Sequence, residues 1–267
     1  MNMKNGAVRL GETNMDYISF GKGTKPLVLI PGLGDGLMSV KGKAQMGAMM
    51  YPEFAQHYRV YMFSRKRKLE PGTTTRSMAA DLAAAMQQLN LANAHVVGVS
   101  LGGMIAQFLA ADHPELVDRL VLVVTLPKAN ELLIQNLDRW MKLARNHKYK
   151  ALLMDTTRRS HPAKHLKKYQ RLFPLLTLAP RPRSYENFLA QATASRNHDG
   201  TGVLRNIMAR TLVIGGEQDE TVGAEGSRQL VDAIPNSYLC IYHNHGHGLY
   251  QDARDFSHRI LKFLQAP

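Results

Sequence analysis

The chain has one cysteine, Cys240, and one tryptophan, Trp140, in 267 residues, and only 7% of it is aromatic. A lone cysteine excludes an internal disulfide. Its setting, Tyr238-Leu239-Cys240-Ile241-Tyr242, reads as a buried strand thiol in a reducing compartment. No apolar run approaches the ~18 residues of a membrane span, and Met1 to Leu10 lacks the apolar segment of a secretory signal. A soluble, cytoplasmic chain with no membrane span is expected. His, Cys, Asp and Glu do not recur at metal-ligand spacings, so neither a metal nor a cofactor is expected. Acids are also scarce, with 21 Asp and Glu against 34 Lys and Arg for a formal charge of +13. The imbalance is local: Leu126 to Arg183 holds 14 cations against Glu131, Asp138 and Asp155, which is +11 of the total. Such a concentrated field attracts anionic partners, and an acidic carrier protein is one that fits. A solvated helical face with surplus lysines is the plainer reading. A second basic run, Arg65-Lys66-Arg67-Lys68, has no interleaved aromatics. It reads as part of a loop from Ser64 to Gly72, and no nucleic-acid partner is expected.

Apolar residues make up 45% of the chain, enough to fill the core of one large α/β domain with an insertion. Short strands are read at Val8–Leu10 and Met15–Phe20. An unbroken apolar run follows at Pro26–Ile30, and further strands are read at Tyr58–Phe63, Ala94–Val99, Arg119–Val124, Arg210–Ile214 and Ser237–Tyr242. Runs of this kind suit parallel strands covered on both faces. Helical spacing separates them at Ser77–Leu89, Leu101–Ala111, about Ala224–Ala233 and about Asp252–Leu264. This alternation points to a mostly parallel sheet with right-handed crossovers. It breaks after Val124, where the pattern turns helical, including segments at Ala163–Phe173 and Ser184–Ala194. The division is a core of residues 1–125 and 206–267 with a helical cap inserted at 126–205.

Val97-Gly98-Val99-Ser100-Leu101-Gly102-Gly103 carries Gly-x-Ser-x-Gly at a strand-to-helix junction and reads as a nucleophile elbow with Ser100 at its tip. A serine hydroxyl needs a base, and the base needs a partner that fixes its tautomer. Strand 211–214 runs into Gly215-Gly216-Glu217-Gln218-Asp219-Glu220, and strand 237–242 into His243-Asn244-His245-Gly246-His247-Gly248, so carboxylates and histidines gather at the same sheet edge. Asp219 has Glu217 and Glu220 as rivals, and His247 has His245. His57, His95, His113, His161 and His165 are assigned to packing, surface or cap roles. Pro31-Gly32-Leu33-Gly34-Asp35-Gly36 is either a plain turn or an arch presenting backbone N–H groups to a substrate oxygen.

Together these motifs resemble the α/β-hydrolase superfamily, from about Asp16 to Leu264 except across the cap. Pro31-Gly32-Leu33-Gly34 is similar to the family's His-Gly-x-Gly oxyanion loop, with Pro31 in the place of the histidine. The elbow, Thr211–Asp219 and Gly246-His247 with Asp252 and Phe256 match in the order serine, acid, histidine. The family's acidic position five residues after its base falls on Asp252 and favours His247 over His245. Ser64–Lys68 departs from the family's Arg-Gly-x-Gly-x-Ser loop. The resemblance implies an α/β-hydrolase fold, a Ser100, His247 and Asp219 triad, and an oxyanion hole from the N–H groups of Leu33 and Leu101. A serine hydrolase cleaving a carboxylic ester is the function expected. Esterase or acyltransferase action on a carrier-linked acyl group, or non-catalytic ligand binding, are the alternatives. Met46, Trp140, Met141, Leu143 and Phe173 are the candidate pocket residues; packing of the cap against itself explains them equally well.

Overall fold

The segments read as strands do form neighbouring strands. The computed structural model describes residues 2–176 and 181–266, excluding the side chains of 170–176. Its sheet comprises β1 (Lys4–Leu10), β2 (Thr13–Phe20), β3 (Pro26–Ile30), β4 (Arg59–Lys66), β5 (Ala94–Val99), β6 (Val117–Val123), β7 (Arg210–Gly216) and β8 (Ser237–Tyr242). The spatial order is β1-β2-β4-β3-β5-β6-β7-β8. β1 and β2 form an antiparallel hairpin, β2 pairs antiparallel with β4, and every pairing from β4 to β8 is parallel. This is the α/β-hydrolase fold, a mostly parallel sheet with helices on both faces.

The helices Thr75–Gln88 and Leu101–Asp112 cover one face, while Ala44–Met50, Pro52–His57 and Phe256–Gln265 cover the other. The first of these starts at a capping box, in which Thr74 and Ser77 each accept from the other's backbone N–H. Leu101–Asp112 is apolar all round because it is buried all round, from Leu101 to Ala110. Four helices, Glu131–Arg145, Tyr149–Ser160, Ala163–Leu176 and Glu186–Arg196, lie between β6 and β7. The chain closes on itself where this insertion leaves the sheet. Ala129 N donates to His198 O at 2.9 Å, Gly200 N to Pro127 O at 2.8 Å, and Lys128 pairs with Asp199 at 2.8 Å. Among the described residues, no helix is long and apolar enough to cross a membrane.

The structure corrects four local readings. Ser64 to Lys66 continue β4 instead of starting a loop, and their polar groups are engaged by nearby residues except Arg65 Nε, which is buried without a partner among the described residues. Arg65 is buried with its guanidinium on Pro31 O, Lys66 pairs with Asp81 at 2.8 Å, and Arg67 grips both oxygens of Asp16. Tyr149–Ser160 is a separate helix of the insertion; only Tyr149 and Leu152 in it are buried, so it shows no apolar stripe. The terminal helix is two pieces, Leu249–Asp252 and Phe256–Gln265. Cys240 is only half-buried, because β8 is the edge strand and leaves Tyr238 and Leu239 exposed.

Candidate active site

Ser100 connects β5 to Leu101–Asp112 with φ 55° and ψ −119°, a conformation that residues bearing a Cβ rarely adopt. Surrounding bonds impose it. Ser100 N donates to Val123 O at 2.8 Å, and its carbonyl accepts from Thr125 Oγ1 at 2.9 Å and from Gly103 N at 2.8 Å. The close packing also requires glycine. A Cβ on Gly102 would lie 2.0 Å from Ile30 O, and one on Gly98 2.5 Å from Gly102 O.

Asp219 follows β7 and His247 follows β8, and both are buried. Asp219 Oδ1 accepts from the backbone N–H groups of Thr221 and Val222 at 2.8 and 2.9 Å, which fixes the carboxylate plane. Its Oδ2 lies 2.8 Å from His247 Nδ1, and His247 Nε2 lies 2.9 Å from Ser100 Oγ. An ionised carboxylate only accepts, so the proton sits on Nδ1 and the Nε2 lone pair faces the hydroxyl. The rival groups are placed elsewhere. His245 stacks on His165 with centroids 4.9 Å apart, Glu217 sits 3.3 Å from exposed His243, and Glu220 is exposed.

Leu33 opens a short 3₁₀ turn, Leu33–Gly36, and Leu101 opens its helix. First residues of helices have no intrahelical acceptor for their N–H, and both line the cavity beside Ser100. Gly32 approaches closely, since a Cβ there would sit 3.4 Å from Ser100 Cβ. The arch is anchored from β4. The Arg65 guanidinium donates to Pro31 O, and Asp35 Oδ2 accepts from Arg65 N at 2.9 Å. Sequence reasoning missed Arg65 because a cation among cations reads as surface.

A cavity of about 580 Å³ opens onto Ser100 and His247. Met46, Met50, Leu137, Trp140, Leu153 and Phe188 supply much of its apolar wall. Lys43 is the one lysine or arginine among the residues lining it. Its ammonium donates to Ser39 O at 2.5 Å, and burial lowers its pKa against the opposing pull of Asp35. Of the candidate pocket residues, Met46 and Trp140 are wall residues, with Trp140 Nε1 donating to Asp155 at 2.8 Å. Met141 and Leu143 are not. Met141 is buried behind the wall, where its sulfur accepts from Thr193 Oγ1 at 3.7 Å, and Leu143 packs on the core. The side chain of Phe173 lies outside the described residues.

Residues 25–253 match the family model described as "alpha/beta hydrolase fold". The chain belongs to this family. Among curated relatives of this α/β hydrolase, a 2-hydroxy-6-oxononadienedioate/2-hydroxy-6-oxononatrienedioate hydrolase of Pseudomonas putida is 27% identical over 286 residues, covering 97% of this chain and 94% of the relative. Among solved structures, MGS-M2, an α/β hydrolase from a Medee basin deep-sea metagenome library, superimposes with TM-score 0.84 at 20% identity, covering 98% of each chain. The enol-lactonase of Burkholderia xenovorans LB400 does so with TM-score 0.82 at 19% identity, covering 98% of this chain and all of the other. At those identities the structural likeness carries the fold alone.

The histidine loop of this α/β hydrolase also lies against the insertion. Gly248 N donates to Ser160 O at 2.7 Å, and a Cβ on Gly246 would lie 2.8 Å from that same oxygen. The two glycines around His247 thus let the Ser160–Pro162 corner pass. They were visible in the sequence; what crosses them was not.

Proposed function

We propose that the protein is a serine hydrolase that cleaves a carboxylic ester through an acyl-enzyme. The observation that carries this reading is the continuous line from Asp219 Oδ2 through His247 to Ser100 Oγ, at 2.8 and 2.9 Å. In this reading His247 Nε2 takes the Ser100 proton as Oγ attacks the ester carbonyl, and the developing oxyanion accepts from Leu33 and Leu101 N–H. Collapse of the tetrahedral adduct expels the alcohol, which takes its proton from His247. Water, activated by the same imidazole, then releases the acid. Asp219 holds the ring in the required tautomer and stabilises the imidazolium. The largely apolar wall suits an acyl chain, and such pockets discriminate only weakly between chain lengths.

The test is a p-nitrophenyl ester series from acetate to palmitate with wild type, Ser100→Ala and His247→Ala. Both variants are expected to lose about 10⁴-fold or more in kcat, with the wild-type optimum reporting the cavity length. Ser100→Ala as active as wild type would refute the assignment. A binding role would replace it if wild type turned over no ester yet held a ligand tightly.

A second reading, an acyl group delivered on an acidic carrier, draws support from exposed Lys142, Arg145, Lys148 and Lys150 on the insertion. None of them has an ion-pair partner among the described residues.

A further inference from the structure

A second histidine–carboxylate pair opens onto the same cavity. His161, at the corner between helices Tyr149–Ser160 and Ala163–Leu176, places Nδ1 2.6 Å from Asp252 Oδ2. Tyr169 donates its hydroxyl to the other Asp252 oxygen at 3.0 Å and stacks on the His161 ring with centroids 3.9 Å apart. The opposite face of the ring lies against Gly248, where a Cβ would be 2.2 Å from His161 Cε1. Tyr169, Asp252 and Gly248 therefore fix the ring from three sides.

An ionised Asp252 accepts from both Nδ1–H and the tyrosine, which leaves His161 Nε2 as a lone-pair acceptor. Burial lowers the His161 pKa even against the raising effect of Asp252. His161 is 6% exposed and is a wall residue of the cavity, and Nε2 has no partner among the described residues. An acceptor held rigidly at a pocket wall, with no protein partner among the described residues, is free to take a hydrogen bond from a donor in the cavity. Its position says which part of the substrate supplies one. His161 lies close enough to His247 for their charges to interact, and His247 returns the proton to the departing alcohol, which puts His161 toward the alcohol side. The acyl oxygen is held at Leu33 and Leu101.

We propose that His161, oriented by Asp252, recognises a free hydroxyl on the alcohol portion of the ester, so that monoesters of diols and polyols are preferred to esters of simple alcohols. The proposal rests on the ester-hydrolase reading. It differs from a purely structural tie between insertion and core, because a tie would not distinguish substrates.

The experiment measures kcat/KM of wild type and His161→Phe on 2-hydroxyethyl, 2-methoxyethyl and ethyl butyrate. The phenylalanine keeps the stack on Tyr169 and removes both ring nitrogens. One net hydrogen bond corresponds to roughly a 3- to 10-fold effect. Wild type is expected to favour the hydroxyethyl ester over both others by that factor, and His161→Phe to lower hydroxyethyl turnover more than ethyl turnover by the same factor. Equal wild-type rates on the hydroxyethyl and methoxyethyl esters would overturn the inference, because the ether accepts but cannot donate. An equal fall on all three esters in His161→Phe would overturn it too. The wild-type comparison decides the matter even if the variant does not fold. Turnover of ethyl butyrate without hydroxyl preference removes the role of His161 alone, whereas turnover unaffected by Ser100→Ala removes the ester-hydrolase reading itself.

Discussion

At Ser100 the backbone is held where a Cβ is unwelcome, at φ 55° and ψ −119°, by hydrogen bonds to Val123 and Thr125. Strain of this kind is worth about 1–3 kcal/mol and persists only where neighbours over-determine it. The bonds that impose it use backbone atoms of Ser100, so they survive removal of the side chain. Ser100→Gly is therefore expected to unfold at a higher temperature than Ser100→Ala, by a few degrees for a chain of this size. Both variants lack the hydroxyl, so differential scanning calorimetry of the pair isolates the backbone contribution. Equal midpoints would mean that relieving the strain gains no more than the entropy glycine adds to the unfolded chain. Gly-x-Ser-x-Gly was legible because it is contiguous and sits between an apolar strand run and a helical pattern. The His161–Asp252 pair was not, for its partners are 91 residues apart and come from different elements. Only the fold brings them together, so sequence reasoning left His161 with the packing histidines.

The Pro31–Gly36 arch, proposed to hold the oxyanion, depends on elements on either side of it. From β4, Arg65 holds Pro31 O and Asp35. From the insertion, helix Glu186–Arg196 packs so closely that a Cβ on Gly36 would lie 2.6 Å from Phe188 Cα. Gly36→Ala must therefore displace either the turn or the helix. Misplacing catalytic donors by about 1 Å can lower turnover by about 10²-fold. The variant is expected to lose about 10- to 100-fold in kcat on p-nitrophenyl butyrate, and because Phe188 is also a wall residue, KM is expected to rise with it. Steady-state kinetics with an unchanged kcat would show that the arch does not rely on this contact. The end of β4 and helix Tyr149–Ser160 mark where sequence legibility ends. Both faces of strands such as β3 and β5 are buried, so their runs are apolar and easily read. The end of β4 carries Ser64, Arg65 and Lys66, whose burial and pairing depend on Pro31, Asp35 and Asp81, all distant in sequence. Tyr149–Ser160 escaped because a helix with only two buried side chains has no period to detect.

The net charge of +13 could be located from composition, but its state of pairing could not. At the end of β4 and just after it, Lys66 and Arg67 pair with Asp81 and Asp16, while Arg65 is buried with its guanidinium on Pro31 O. In the insertion, Arg159 pairs with Asp155 and Lys128 with Asp199, while Lys142, Arg145, Lys148 and Lys150 remain exposed around the end of Glu131–Arg145 and the start of Tyr149–Ser160. A cluster of this kind attracts a large anionic partner over a Debye length, about 10 Å at 0.1 M salt, and has little effect on a small neutral ester. If an acidic carrier delivers the acyl group, KM for the carrier-linked substrate should rise about 10-fold or more between 50 and 500 mM salt. KM for p-nitrophenyl butyrate should stay within about two-fold over the same range. Lys148→Glu with Lys150→Glu should raise the first KM at low salt and leave the second unchanged, because neither residue lines the cavity. A carrier-linked KM indifferent to salt and to charge reversal would reduce the cluster to a solvated face. The specificity of the enzyme would then be set within the cavity, by its apolar wall and the groups beside His247.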